Sequence, residues 1–432
     1  MSAEPSPAIG IGRQEGAAAR RADAIPSRAY WALALLVLVY LSNGMDRMIV
    51  AVLLEPIRQE FSLSDSQAGL LAGLAFAIAN AVAAVPFGLA ADRFSRRSVV
   101  ALAISFWSAM TMLCGLTQSF AQLVFARAAV GLGEAGGPAP SAALVADLFP
   151  AQRRASAMSV LFAAGPIGAA LALALGSWVA ERHGWRAAFW VAGAPGLLLA
   201  LLLWLTVREP KVSHLAGGAA LAFAERWRLI LGQPALLHAL AGLAIGTFVM
   251  SGLSSWMPTF FIRSHGVSLA VAGSTLALTQ AVMAVAGNLL AGVLTDRMAR
   301  RDPRWRAWTI ALALSVATPL LVALLLASSW PVALFLYALH TFFEQMFFGP
   351  GYALCQGLVG PRLRATVSSL LYLAAGLIGF GLGTQFVGSV SDAFAGQGAD
   401  SLRYALLTLC LFRLWATVHL WAAGRRLCEA VP

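Results

Sequence analysis

The chain has 432 residues, of which 59% are hydrophobic and 11% charged, whereas soluble domains carry about 25% charged residues. That composition excludes a cytosolic enzyme, a disordered protein and a disulfide-stapled secreted domain, and it identifies an integral membrane protein. The net charge of +11 comes from 29 Arg and the single Lys211, spread over short loops instead of one face, so it does not indicate nucleic-acid binding.

Residues 1–28 are polar and lack the apolar stretch of a cleavable signal peptide. They are expected to form a disordered cytoplasmic tail, with the first span acting as an uncleaved insertion signal. A bilayer core about 30 Å thick needs roughly 20 apolar residues per helix. Stretches of that size recur at 29–54, 66–91, 97–117, 119–148, 155–181, 186–207, 235–261, 268–295, 306–328, 331–359, 364–392 and 402–424. These predict an all-α membrane protein with twelve spans. A six-helix bundle over 29–207 is followed by a cytoplasmic linker over 208–234, with Arg208, Lys211, Arg226 and Arg228, and a second bundle over 235–427. Cys114, Cys355, Cys410 and Cys428 sit in or beside apolar runs and read as core residues, not as disulfides or metal ligands.

Orientation follows from the basic residues. With the N-terminus inside, 22 of the 30 fall on the cytoplasmic side and 5 (Arg58, Arg182, Arg186, Arg263, Arg403) on the other; Arg47, Arg127 and Arg413 lie within spans. Both termini are thus expected in the cytoplasm. An internal repeat is also visible. Gly88-Leu-Ala-Ala-Asp92-Arg93-Phe-Ser-Arg96-Arg97 matches Gly292-Val-Leu-Thr-Asp296-Arg297-Met-Ala-Arg300-Arg301 at an offset of 204, each copy following the second span of its half. A weaker echo joins Leu148…Arg154 to Leu358…Arg364 at an offset of 210. Two six-helix halves related as parallel repeats are the plan of many secondary transporters.

The chain resembles the major facilitator superfamily. Its GxxxDRxxxR loop motif stands at Gly88, Asp92, Arg93 and Arg97, with a second copy at Gly292, Asp296, Arg297 and Arg301, and Arg127…Gly131-Leu-Gly133 resembles the RxxxGxG motif of the fourth span. Gly165-Pro166-Ile-Gly168 resembles the GPxxGG antiporter motif in part, with Ala169 in place of the last Gly. Within the superfamily, Gly44-Met-Asp46-Arg47, Arg127…Gly133-Glu134-Ala and Ser255-Trp256-Met-Pro258-Thr-Phe are similar to the spinster branch of lysolipid and sphingolipid transporters. The resemblance implies alternating access between two halves, a monomer, and proton-linked roles for Asp46, Arg127 and Glu134; the Arg-rich, Lys-poor usage and short loops point to a bacterial inner membrane. It also implies that the loop motif is a cytoplasmic latch holding the outward-open state; Gly88 and Gly292 would allow close helix approach there.

Ionisable residues near mid-bilayer cost roughly 2.5–3.5 kcal/mol on insertion scales and usually face a partner or a water-filled cavity. At 1.5 Å per residue, Asp46 and Arg127 both lie about 13 Å from the outer surface, with Glu134 on the Arg127 face and closer to the cytoplasm. This predicts an Asp46–Arg127 ion pair and leaves Glu134 as the main proton carrier. Arg47 is expected at the substrate cavity, with Ser251, Ser254, Trp256 and Gln345 from the second half. His340 and Glu344, one turn apart, form a second candidate proton site. Arg413, on the twelfth span, reads as packing or snorkelling.

Gly131-Leu-Gly133-Glu-Ala-Gly136 fits GxGxxG, but it lies inside an apolar helix with no βαβ unit, and reads as helix packing. No GxxxxGK[ST], HExxH or GxSxG occurs, so the protein reads as a transporter without cofactor or metal, and not as an enzyme. One charged half facing one aromatic-rich half suits an amphipathic substrate such as a lysophospholipid, a sphingolipid-like molecule or a hydrophobic drug. The alternative is a proton-coupled symporter of a small organic anion or sugar. A sugar site would want more Asn, Gln and Trp, and an anion site a second cavity cation in the seventh or tenth span.

Overall fold

The computed structural model describes residues 26–208 and 223–427; most of the predicted tail, linker residues 209–222 and Cys428 lie outside them. Twelve helical spans run in chain order: α1 Ser27–Glu60, α2 65–93, α3 Arg96–Cys114, α4 in the pieces Phe120–Glu134 and Pro138–Leu148, α5 151–183, α6 Trp185–Thr206, α7 Pro234–His265, α8 Leu269–Ala299, α9 Trp305–Leu326, α10 330–357, α11 361–393 and α12 Ser401–Leu427. Eleven of them are long and apolar enough to cross a bilayer. The remaining one, α4, breaks at Gly136-Gly137-Pro138, where Pro138 has no N–H to extend the first piece and suits the first turn of the second. A short helix, Phe223–Leu231, lies within the predicted linker.

Side chains at the loops fix the helix ends. Ser64 and Gln67 form a reciprocal capping box at the start of α2, and Ser95, Ser119 and Ser268 accept main-chain N–H groups at the starts of α3, α4 and α8. Gly266 closes α7 in the left-handed region at φ 64°. Three spans contain π-helical stretches: Leu70–Leu74 in α2, Ala172–Gly176 in α5 and Ala374–Gly383 in α11. Such stretches recur at functional sites.

In each half, polar groups are buried among apolar spans. α1 packs along α5 so closely that Cβ atoms on Gly44 and Gly168 would overlap the main-chain carbonyls of Gly165 and Leu41. α7 packs along α12, and α9 lies against α12 and α10. The halves meet through α1 with α7, α2 with α11, and α5 with α8. Among the described residues, the hydrogen bonds and ion pairs that join the halves lie at the end of the bundle away from the termini. Asp392 Oδ1 and Oδ2 accept from the main-chain N–H groups of Asp65 and Ser66, each at 2.8 Å. Arg263 reaches Glu55 at 2.7 Å and Asp65 at 2.7 Å, and the main-chain N–H of Ala270 donates to Glu181. At the termini end, by contrast, the space around Gly88 and Gly292 is open to 4 Å.

Candidate functional site

The break in α4 places Glu134 at the last residue of its first piece, fully buried. Asn43 and Arg47, one turn apart on α1, both reach it: Asn43 Nδ2 donates to Glu134 Oε2 at 2.7 Å and Arg47 Nε to the same oxygen at 2.9 Å. Arg47 lies about 100° round the helix from Asp46, so the two point to different neighbours. Asp46 turns toward α3, beside Trp107 and Thr111, and none of these three side chains makes a hydrogen bond of standard geometry. The expected Asp46–Arg127 ion pair is therefore not formed. Arg127 Nη1 donates instead to the main-chain carbonyl of Asp46 at 3.2 Å, and Glu134 takes its ion pair from Arg47.

Arg47 and Arg127 both lie over the ring of Phe76 on α2, at 5.4 and 5.3 Å from its centroid. Aromatic faces attract guanidinium groups by roughly 0.5–2 kcal/mol, most strongly where water is excluded. Arg127 is fully buried, while the Arg47 side chain is 31% exposed and lies beside Tyr372 of α11 in the other half. The site thus presents one reachable cation, backed by a buried carboxylate and a second, enclosed cation.

The second half carries a corresponding cluster on α10, α9 and α12. His340 Nε2 lies 3.1 Å from Glu344 Oε2, and its Nδ1 lies 3.1 Å from the Ala317 carbonyl. Nδ1 also lies 3.4 Å from Arg413 Nη1, so the ring stands between the carboxylate and the guanidinium. Arg413 Nη2 donates to Glu344 Oε1 at 2.5 Å. The snorkelling reading of Arg413 is corrected: its side chain is 1% exposed and points into the half, because Glu344 offers a charge partner that the bilayer does not. Glu344 ends the first piece of α10, and Gln345, partly exposed, begins the 3-10 turn that follows.

Of the other expected cavity residues, Ser254 is partly exposed, with its hydroxyl on the Ser251 carbonyl. Ser251 is buried, and Trp256 is fully enclosed, its Nε1 donating to the Thr384 carbonyl at 2.9 Å. In this conformation Trp256 ties α7 to α11 and is out of reach of a substrate. In the loop motif, Arg97 Nη1 caps the end of α6 at the Val207 carbonyl (3.0 Å), Arg96 pairs with Asp147, and Arg93 is exposed. The Asp92 side chain lies outside the described residues. Asp296, Arg297 and Arg301 are exposed.

Sequence reasoning missed the ion cluster at the far end of the bundle. Arg263 of α7 bridges Glu55 of α1 and Asp65 of α2, Ser391 donates to Asp65 Oδ2 at 2.6 Å, and Arg58 reaches Glu55 at 3.1 Å. A polar pocket of about 410 Å³ lies beside it, lined by Arg58, Asp65, Arg263, Ser391 and Asp392 among others. Charges at span ends look topological in a sequence; only the tertiary crossing pairs them. Asn43 was missed because a single amide in an apolar span carries no motif.

The Major Facilitator Superfamily model matches residues 36–384. An MFS-type efflux pump of Mycolicibacterium smegmatis is 34% identical over 403 residues, 93% of this chain and 94% of that protein. Protein spinster homolog 1 of Rattus norvegicus is 28% identical over 394 residues, 85% of this chain and 74% of that protein. Among solved structures, a bacterial homologue of the human lysosomal transporter spinster, in an inward-facing and unoccupied conformation, superposes with a TM-score of 0.84 at 30% identity, covering 93% of this chain and 98% of that one. With its two six-helix halves and repeated loop motif, this multi-pass membrane chain belongs to the major facilitator superfamily of transporters, in which it is similar to spinster proteins and to an MFS-type efflux pump.

Proposed function

We propose that the protein is a proton-coupled secondary transporter of an amphipathic substrate, working by alternating access. The observation that carries the reading is Glu134: a fully buried carboxylate whose ion-pair partner, Arg47, is partly exposed beside Tyr372 of the other half. Proton occupancy of a buried carboxylate is set by competition between desolvation and its neighbouring guanidinium groups. An anionic or zwitterionic headgroup that engages Arg47 draws it from Glu134, and the proton takes its place. Asp46 and Arg127 complete the switch; His340 and Glu344 are a second candidate site.

From the second half, the ring of Tyr372 on α11 is exposed beside Arg47 and offers an apolar surface next to the cation. This favours a lysophospholipid, a sphingolipid-like molecule or a hydrophobic drug over a sugar or a small anion. The 22-to-5 distribution of basic residues supports cytoplasmic termini in a bacterial inner membrane; the present conformation is then inward-facing, with the loop-motif latch disengaged.

The test is uptake of a labelled lysophospholipid into proteoliposomes, with and without an imposed pH gradient, for wild type and Glu134→Gln. Gradient-dependent flux in wild type, lost in the folded variant, is the expected result. Gradient dependence that survives in Glu134→Gln overturns the role of Glu134, and absence of lysophospholipid flux in folded wild type overturns the substrate class.

A further inference from the structure

We infer that Phe76 is a positioning residue that ties the charged cluster of the first half to the movement of the second. The inference rests on the proton-coupling reading above. Phe76 is 2% exposed and lies two residues past the π-helical stretch of α2. Its ring face carries both guanidinium groups, Arg47 and Arg127. The ring packs edge-to-face with Phe380 of α11 in the other half, with centroids 5.6 Å apart and ring planes at 69°.

Phe380 sits inside the long π-helical stretch of α11, so the two irregular helices cross here. The crossing is tight. A Cβ on Gly73, one turn before Phe76, would overlap the Phe380 carbonyl, and a Cβ on Gly381 would lie 2.8 Å from that of Ala77. A ring in such a contact cannot keep its place when α2 and α11 separate, because the interior is close-packed and does not deform continuously.

Opening the far end of the bundle requires that separation, since Asp392 of α11 bonds the first turn of α2. Phe76 then loses its contact with Phe380, and the two guanidinium groups lose a fixed platform. The groups facing Glu134 would feel the change directly: Arg47 and Asn43 from α1 and Arg127 from its own helix, with Asp46 close by on α1 and Tyr40 and Tyr372 beside Arg47. The grip on Glu134 becomes a function of which end is open.

The pH profile of gradient-driven flux in proteoliposomes tests this, for wild type, Phe76→Leu, Phe76→Tyr, Phe380→Leu and the double variant Phe76→Leu/Phe380→Leu. Removing the aromatic face in Phe76→Leu is expected to move the pH midpoint by about one unit, the size of a shielded cation–π contact. Phe76→Tyr, which keeps the face, retains the wild-type midpoint. Phe380→Leu touches neither arginine yet moves the midpoint in the same direction, and the double variant moves it no further than Phe76→Leu alone. An unmoved midpoint in folded Phe76→Leu or in Phe380→Leu overturns the inference; should Phe76→Leu fail to fold, Phe380→Leu decides. A wild type whose flux ignores pH defeats the proton-coupling reading itself, whereas a pH-dependent wild type with unmoved variants defeats only the role of Phe76.

Discussion

Glu134 and Glu344 are counterparts in the two halves: they stand 210 residues apart, the offset that also relates Leu148 to Leu358, and each ends an α-helical piece where its span breaks. Each is paired with an arginine, but from non-equivalent helices, Arg47 of α1 and Arg413 of α12. The consequence is unequal access. The Arg47 side chain is 31% exposed, whereas that of Arg413 is 1% exposed. The arginine partner of Glu134 is therefore reachable and that of Glu344 is enclosed, although Glu134 itself is the more deeply buried carboxylate, at 0% against 11%.

The closed pair should behave as a buried ion pair. Arg413→Met leaves Glu344 without its main partner and is expected to destabilise the protein by about 3–5 kcal/mol, while Arg413→Met combined with Glu344→Leu recovers most of that loss. Thermal unfolding in detergent, followed by intrinsic fluorescence, checks both. A single variant as stable as wild type would show that the pair contributes nothing.

Arg263 holds the far end of the bundle shut by bridging two helices of the other half. Arg263→Ala removes charge-assisted bonds to Glu55 and Asp65, and a loss of about 2 kcal/mol, within the range for hydrogen bonds to charged groups, shifts the balance between conformations roughly 30-fold toward opening at that end. Spin-label distances between the ends of α1 and α7 should lengthen accordingly. Distances equal to those of wild type would remove the bridge from the gate.

Two glycines make opposite predictions. At Gly168 a Cβ would overlap the Leu41 carbonyl, so Gly168→Ala should lower the melting temperature sharply. At Gly88 the space is open, so Gly88→Ala should melt like wild type; under the latch proposed above, where the helices close at this point, it should also transport slowly. Melting curves and initial flux rates separate the two cases. A Gly88→Ala protein with full flux would argue against the latch.

Much of the fold was legible because bilayer thickness sets helix length. The predicted span 306–328 is the helix Trp305–Leu326, and 235–261 is the core of Pro234–His265. The two loop-motif copies marked the repeat. Pairing within the charged cluster was not legible, since a difference of one residue turns a side chain 100° about the axis. Asp46 and Arg47 are neighbours in sequence and face different helices in space. Arg413 illustrates the same limit: its depth could be counted, but the direction it points could not. The π-helical stretches left no sign either, as their apolar sequences match those of ordinary spans.

The carboxylate of Asp392 closes the bundle by accepting main-chain N–H groups at positions 65 and 66. Such a bond is indifferent to the side chains that those positions carry. Drift at the start of α2 can then alter the Arg263 bridge, and with it the gate's response to charge, while this second fastening persists. Among the common residues only proline, which has no N–H to donate, would release it. The closure therefore divides into a tunable part, written in side chains, and a constant part, written in the backbone.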